Sequence, residues 1–235
     1  MEDRMTAQKL KNSILQMAVQ GKLVPQDLND EPASVLLERI RKEKEQLIKE
    51  GKIKRNKNES FIFRGADNLH YEQIGKEVRC IEDELPFEIP DSWEWTRLNE
   101  IRIKEIKRGK SPKYATEGDA LVFAQKCNTK YNGIDISLSK HLDSSSLKRY
   151  DDNEKMVDGD IVINSTGTGT MGRIGYYSAN CNPNNYILVP DSHVTIVRVS
   201  TILNSKFIKN TIDQYRDYFE KHAEGSTNQK ELKPI

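Results

Sequence analysis

Apolar side chains recur at helical spacing near the start of the chain. Leu10, Ile14 and Met17 fall at positions i, i+4 and i+7 and form one apolar stripe. Thr6 is a suitable N-terminal cap, so the pattern predicts an amphipathic helix from there to about Gln20.

A second amphipathic helix is predicted over Pro32–Glu50, with proline tolerated in its first turn. Its apolar positions alternate in steps of three and four, and Lys44 interrupts them. Since fewer than three heptads are present, this face is equally suited to a second copy, a partner subunit or another part of the chain. The residues predicted to make such an assembly contact are Leu37, Ile40 and Leu47.

The periodicity is lost over residues 56–88, where a basic stretch and an acidic stretch flank short apolar clusters. This pattern predicts a packed-down linker or a small hairpin. It divides the chain into a helical segment (residues 1–55), a linker (56–88) and a compact domain (89–235). Trp93 and Trp95 predict that the domain opens with a strand that enters its core.

Residues 89–235 mix short strand patterns with one helical pattern, at about Thr201–Tyr218. Regular alternation of strands and helices is missing from the pattern. We therefore predict an α+β fold, in which an N-terminal helical segment precedes one mixed domain with a twisted sheet. The predicted strands are Leu121–Gln125, Ile134–Leu138, Asp160–Asn164, Ile174–Tyr177, Tyr186–Val189 and His193–Val199.

Composition narrows the class of protein. The chain has 235 residues, 36% hydrophobic and 31% charged, and no apolar run approaches the ~18 residues of a membrane span. The acidic N-terminus is unlike a secretory signal. Three distant cysteines and four scattered histidines predict neither a disulfide framework nor a metal site. We expect a cytoplasmic protein without a metal.

The net charge of +1 hides a basic stripe over residues 102–113, in which Glu105 is the only acid. Such a stripe can bind a polyanion because affinity follows the local field. On charge alone, a solvated basic loop is the favoured alternative. The predicted phosphate contacts in this stripe are Lys107, Arg108, Lys110 and Lys113.

The segment Gly167–Gly172 fits the spacing G-x-G-x-x-G of dinucleotide-binding proteins. That motif needs a helix that starts in the glycines, whereas Arg173 begins an alternating, strand-like stretch. We therefore predict a hairpin whose tight loop lets the backbone approach another molecule closely. Asn182–Tyr186 partly matches the Asn-Pro-Pro-Tyr motif of adenine methyltransferases, but the second proline is missing, so a turn is the better interpretation.

The sequence contains no Ser/His/Asp set, P-loop or nuclease-like acidic cluster, and we predict that the chain is not an enzyme. A binding surface remains, made of the basic stripe, the glycine loop and a polar segment near the C-terminus. Asn, Gln, Ser and Thr side chains can reach base edges, while Arg and Lys serve phosphates. The further predicted DNA contacts are Asn164, Thr166, Thr168, Arg173, Ser226, Thr227, Asn228, Gln229 and Lys230.

Six stretches together resemble the DNA-specificity subunit of type I restriction-modification enzymes, in the order of that family. They are Leu10–Asp27, Asn29–Ile40, Pro86–Trp95, Gly109–Pro112, Asp160–Arg173 and Gly225–Lys230. The resemblance implies non-catalytic, sequence-specific binding of double-stranded DNA, with one target-recognition domain reading one half of a bipartite site. It implies partners that carry the chemistry: methyltransferase subunits with S-adenosylmethionine, and restriction subunits that translocate DNA with ATP.

The family usually continues beyond a Lys-Pro-Ile stretch into a spacer helix and a second recognition domain, whereas this sequence stops at Ile235. It therefore resembles a half-subunit, a truncated product or a fragment. We expect a monomer in isolation, with two copies brought together by methyltransferase subunits. The alternative is an interaction module that docks the methyltransferase subunit without reading DNA alone. An autonomous methyltransferase would need cofactor motifs that the sequence lacks.

Overall fold

The computed structural model describes residues 7–167, 169–221, 223 and 232, and it divides the chain into two compact units, Met1–Ile101 and Arg102–Ile235. Residues 89–101 therefore belong to unit 1. Unit 1 contains α1 (Ala7–Val19), α2 (Ala33–Lys49), β1 (Ser60–Arg64), β2 (His70–Ile74), β3 (Glu77–Cys80) and the short α3 (Leu98–Ile101).

Both predicted N-terminal helices are present, and each ends at a glycine. The Gly21 amide donates to the carbonyl of Ala18, and Lys22 donates to Met17, which satisfies the last carbonyls of α1. Gly51 closes α2 in the same way. Pro32 lies one residue before α2 and acts as its N-cap. The predicted cap of α1 at Thr6 lies outside the described residues.

The lysine that interrupts the stripe of α2 points into unit 1. Lys44 is 4% exposed, and its ammonium group donates to the Glu100 carboxylate at 3.0 Å and to a backbone carbonyl of α3 at 3.0 Å. Ile40 beside it is 1% exposed. Ile40 is thus buried within its own unit, and a contact of this residue with a partner stays a prediction. Leu37 and Leu47 are half-buried, and their role in assembly stays a prediction.

Residues 60–80, which the sequence predicts as part of a linker, form an antiparallel sheet in the order β1-β2-β3. A buried ion cluster holds this sheet against the residues that follow it. Glu72, 2% exposed, accepts hydrogen bonds from Arg97 at 2.6 and 2.8 Å and from Ser60 at 2.7 Å. The bonds from Arg97 outweigh the opposing effect of burial and lower the pKa of Glu72 to about 2.

The predicted strand at Trp93 and Trp95 is absent, because this segment bonds to the helix connections instead of a sheet. The Trp93 indole donates to the Gln26 side chain at 2.9 Å, and the Ser92 carbonyl accepts from Ala33 at 2.9 Å. Prolines before the tryptophans remove backbone donors that a strand would need. These bonds join residues 92 and 93 to the connection between α1 and α2 and to the start of α2.

Unit 2 contains two sheets, where the sequence predicts a single one. The first has the order β4-β10-β7-β8 and is antiparallel; the second has the order β6-β5-β9, in which β5 and β9 are parallel. The α+β class is confirmed. The elements are β4 (Lys107–Arg108), β5 (Ala120–Phe123), β6 (Lys140–His141), α4 (Ser144–Leu147), β7 (Ile161–Asn164), β8 (Ile174–Tyr176), β9 (Ile187–Pro190), β10 (Val194–Val197), α5 (Ser205–Gln214) and α6 (Arg216–Lys221).

One hydrophobic cluster joins the two sheets of unit 2. Phe123 and Leu188 from the second sheet pack with Val162, Val194 and Ile196 from the first, and all five are at most 1% exposed. Every residue of β5 and of β7 is buried, which explains why these strands appear as continuous apolar runs instead of alternating patterns. The ends of these two strands lead into the loops described below.

Two predicted elements of unit 2 differ from the structure. Ile134–Leu138 is not a strand; it holds a short 3₁₀ turn, because Asp135 accepts from the Ser137 amide and caps it. The predicted C-terminal helix starts later, at the cap Asn204, and Tyr215 separates it into α5 and α6. Within the described part of the chain, no helix is long and apolar enough to cross a membrane.

Candidate nucleic-acid interface

The glycine loop connects β7 to β8 in an antiparallel hairpin, with Ile163 opposite Ile174. The Asn164 amide donates to the Arg173 carbonyl at 3.0 Å, and Gly172 donates to the Asn164 carbonyl at 2.8 Å. The prediction of a hairpin is confirmed. A strand, not a helix, follows the glycines, so the pyrophosphate cradle of a dinucleotide site cannot form here.

Asn164 points inward and fixes the base of this loop. It is 0% exposed, its Oδ1 accepts from Asn128 at 3.1 Å, and its Nδ2 donates to the Gln125 carbonyl at 3.1 Å. Both ends of this side chain are thus engaged inside the protein, where they join two neighbouring loops. A contact of Asn164 with DNA stays a prediction.

Arg173 has a similar joining role. The residue is half-buried; its Nη1 donates to the Asn128 carbonyl oxygen at 2.8 Å, and its Nη2 donates to the Gly169 carbonyl oxygen at 3.4 Å. Burial lowers the pKa of Arg173, and the nearby charge of Arg216 adds to this effect. Arg173 thus positions the loops, and a phosphate contact from it remains a prediction.

Thr166 is also turned away from solvent, at 8% exposure. Its hydroxyl group shares a 2.8 Å hydrogen bond with His193 Nδ1, and its carbonyl accepts from Thr170 at 3.2 Å. Its hydroxyl group is thus engaged inside unit 2, and a contact of Thr166 with DNA stays a prediction. The other polar candidates of this group lie outside the described residues and stay predictions: Thr168, Ser226, Thr227, Asn228, Gln229 and Lys230.

The exposed polar groups come from a second loop that the sequence analysis did not select. We call residues 125–133 together with residues 165–173 the loop pair, because Asn128, Asn164 and Arg173 connect them. The loop pair contains three basic residues and no Asp or Glu. The exposed polar side chains of residues 125–133 are Lys126, Lys130, Tyr131 and Asn132. The Asn132-Gly133 pair, which is typical of a tight turn, is the signal in the sequence that points to this loop.

Lys107 and Arg108 of the basic stripe form β4 at the edge of a sheet, so this part of the stripe is not a solvated loop. β4 pairs with β10, and the chain then passes so close to β9 that a Cβ on Gly109 would lie 1.9 Å from the Pro190 carbonyl oxygen. Only glycine fits there. This contact explains the glycine of the Gly109–Pro112 stretch without any reference to a ligand.

Two lysines of the stripe are paired inside unit 2. Glu154 accepts from the Lys107 ammonium group at 3.2 Å and from that of Lys110. Burial disfavours the ionised form of Glu154, but the hydrogen bonds, led by that from Lys110, outweigh it and lower its pKa to about 2. Arg108 is half-buried and has contacts within the chain. Lys113 is exposed, so it is the stripe residue best placed for a phosphate.

Two specificity subunits among known proteins are similar to this chain. The specificity subunit of the type I restriction enzyme EcoEI from Escherichia coli is 32% identical over 222 residues, which cover 92% of this chain and 34% of that protein. The EcoAI specificity subunit from Escherichia coli is 51% identical over 92 residues, or 39% of this chain and 13% of that protein. The chain is homologous to type I restriction enzyme specificity subunits.

The resemblance inferred from the six stretches is thus confirmed. The chain spans about a third of the length of the EcoEI specificity subunit. No protein-family model matches it.

Several residues in the stretches that resemble specificity subunits serve the fold. Trp93 and Gln26 bond to each other in unit 1, Gly109 allows the approach of two strands, and Asn164 holds the loop pair. The Asn182–Tyr186 segment is a turn, as predicted, in which the Asn182 side chain bonds the amide and the carbonyl of Tyr186. Among the described residues, no group of three His, Cys, Asp or Glu side chains is arranged like metal ligands.

Proposed function

We propose that this chain is a non-catalytic DNA-recognition module of a cytoplasmic type I restriction-modification system, and that unit 2 reads one half of a bipartite target. The observation that carries the proposal is the loop pair, in which Lys126 and Lys130 are exposed and whose sequence contains no Asp or Glu. Homology to specificity subunits supports the same function.

The chemistry of the loop pair suits double-stranded DNA. Lys126 and Lys130 are exposed cations for phosphates, while Tyr131 and Asn132 offer a ring and an amide to the bases. The buried Asn128 fixes these groups in place, because it bonds to the neighbouring loop. A surface that is rigid before binding loses less entropy when the complex forms.

The partners in this proposal are the subunits that carry the chemistry of the complex. Methyltransferase subunits with S-adenosylmethionine and restriction subunits with ATP assemble around the recognition module. A specific observation favours a docking surface on α1: its apolar stripe of Leu10, Ile14 and Met17 is 42–48% exposed. A chain that docks a methyltransferase subunit through this face without reading DNA alone is the second candidate function.

Selection from a random pool of DNA duplexes tests the proposal. The full chain is presented once alone and once with methyltransferase subunits, and the bound sequences are read. We expect one sequence motif to be enriched, at least in the assembled complex. Assembly with the methyltransferase but no enrichment in either sample would reject DNA recognition and leave the second candidate. A matched chain with Lys126→Ala and Lys130→Ala should bind all sequences more weakly.

A further inference from the structure

Tyr131 presents its ring almost completely to solvent. The residue is 84% exposed, and the Lys130 ammonium group lies 5.0 Å from the centroid of its ring. A tyrosine combines a large apolar ring with a polar hydroxyl group, and this combination is enriched at binding surfaces. The neighbouring charges of Lys126 and Lys130 favour a polyanion over an apolar partner.

The backbone beneath Tyr131 is held in one conformation. The Thr129 amide and hydroxyl group both donate to the Gly133 carbonyl, at 2.9 and 2.7 Å, and the Thr129 hydroxyl accepts from the Asn132 amide at 3.1 Å. Gly133 closes the turn with φ of +71°, a conformation that L side chains rarely adopt. The backbone that carries the ring is therefore held in a defined turn.

The turn is also anchored to the core of unit 2. Asn128, 1% exposed, pairs with Ile134 across the base of the turn. Its side chain donates to Asn164 and to the Arg173 carbonyl, each at 3.1 Å. The turn that carries Tyr131 is thus joined to β7 and to the residue that precedes β8, a support that suits a side chain inserted into a stacked duplex.

We propose that Tyr131 inserts into the target half-site and stacks on a base that it separates from its neighbour, with Lys130 on the adjoining phosphate. This inference rests on the proposed function. Aromatic rings stack on bases, and wedge side chains kink duplexes at flexible steps. Tyr131 then contributes to specificity by selecting sequences that unstack easily, in addition to any direct contact with base edges.

Fluorescence of 2-aminopurine tests the proposal, because the base brightens when it loses its stacked neighbours. The probe is placed at each position of the duplex obtained from the selection, and the full chain is used in the assembly that bound DNA. We expect one position to brighten with the wild-type chain. Tyr131→Ala should abolish this signal and weaken binding by about 5- to 150-fold, the range of base–aromatic stacking.

Two further variants separate stacking from other roles. Tyr131→Phe keeps the ring and should keep both signals, which a role of the hydroxyl group would not allow. Tyr114→Ala is the matched control, since Tyr114 is 52% exposed and has Lys140 at 5.1 Å from its ring. It should leave affinity and fluorescence unchanged. Thermal unfolding confirms that each variant is folded.

The outcomes distinguish this inference from the proposed function. Specific binding by Tyr131→Ala at wild-type affinity would overturn the stacking role and leave DNA recognition intact. A duplex that brightens at no position with the wild-type chain would do the same. Loss of methyltransferase assembly in Tyr131→Ala would assign the ring to a protein contact. If the wild-type chain selects no DNA in any assembly, the proposed function fails first.

Discussion

Arg173 and Asn128 bond to each other in both directions. Arg173 Nη1 donates to the Asn128 carbonyl oxygen at 2.8 Å, and Asn128 Nδ2 donates to the Arg173 carbonyl oxygen at 3.1 Å. This reciprocal contact connects the two loops of the loop pair. It converts an arginine that looks like a phosphate contact in the sequence into a structural clamp.

Arg173→Ala should therefore act through stability. Removing the guanidinium group leaves the Asn128 carbonyl without this donor, and we expect a loss of about 1–3 kcal/mol. DNA affinity should fall because the loop pair loosens, while the salt dependence of binding stays close to that of the wild type. Denaturant unfolding and binding at several salt concentrations measure both effects. A salt slope lowered by about one unit with unchanged stability would instead show a direct phosphate contact.

The basic stripe should separate into structural and external lysines. Lys110→Ala removes a partner of the half-exposed ion pair with Glu154, so we expect it to lower stability by about 1–2 kcal/mol and to leave the salt slope unchanged. Lys113→Ala, at an exposed position, should leave stability unchanged and lower the salt slope of DNA binding by about one unit. The same two measurements serve both variants. If both variants changed stability and salt slope equally, the division into structural and external lysines would be contradicted.

Gly109 should tolerate no side chain. A Cβ there would lie 1.9 Å from a backbone oxygen, so Gly109→Ala must shift β9 or β4 and should cost about 3 kcal/mol or more. Gly169→Ala is the control: its Cβ meets nothing within 4 Å, and only the φ of +76° opposes it, at about 1 kcal/mol. Thermal unfolding of both variants compares their stabilities. A Gly169 variant less stable than the Gly109 variant would contradict this reasoning.

Unit 1 should lose stability in acid through Glu72. Its pKa is about 2 in the folded chain and 4.5 in a model carboxyl group, so its stabilising effect is complete above pH 4.5. The effect is lost as the pH falls from about 4.5 to about 2. Glu72→Gln should lower stability at pH 7 by about 3 kcal/mol and flatten this part of the profile. Denaturant unfolding across that pH range checks both, and an unchanged acid profile in the variant would disprove the assignment.

The isolated chain should be a monomer. Ile40, the centre of the apolar stripe on α2, is buried in its own unit, which leaves that helix without a strong seam for a second copy. Light scattering decides the point, and a stable dimer without partners would contradict it. With methyltransferase subunits, we expect two copies that read an inverted repeat. Enrichment of a single asymmetric half-site by the complex would exclude paired reading.

Local pattern was enough to predict much of this protein. Helical spacing predicted α1 and α2, and the strand-like residues after Gly172 predicted a hairpin in place of a nucleotide site. The six short stretches identified the family that the relatives confirm. These features depend on neighbours within one helix turn or one hairpin, or on motifs in a fixed order, and such information is present in the sequence itself.

Which polar side chains face inward was decided by the tertiary structure alone. Lys44 meets Glu100 across 56 positions, Lys110 meets Glu154 across 44, and Asn164 meets the Gln125 carbonyl across 39. In the sequence, Lys44 interrupts an apolar stripe, while Lys110 and Asn164 look available for an external ligand. A buried polar group is stable only when a partner satisfies it, and these partners come together only when distant segments pack. Tyr131, in contrast, stays exposed because its turn is held by hydrogen bonds within residues 129–133, which leave the ring in solvent.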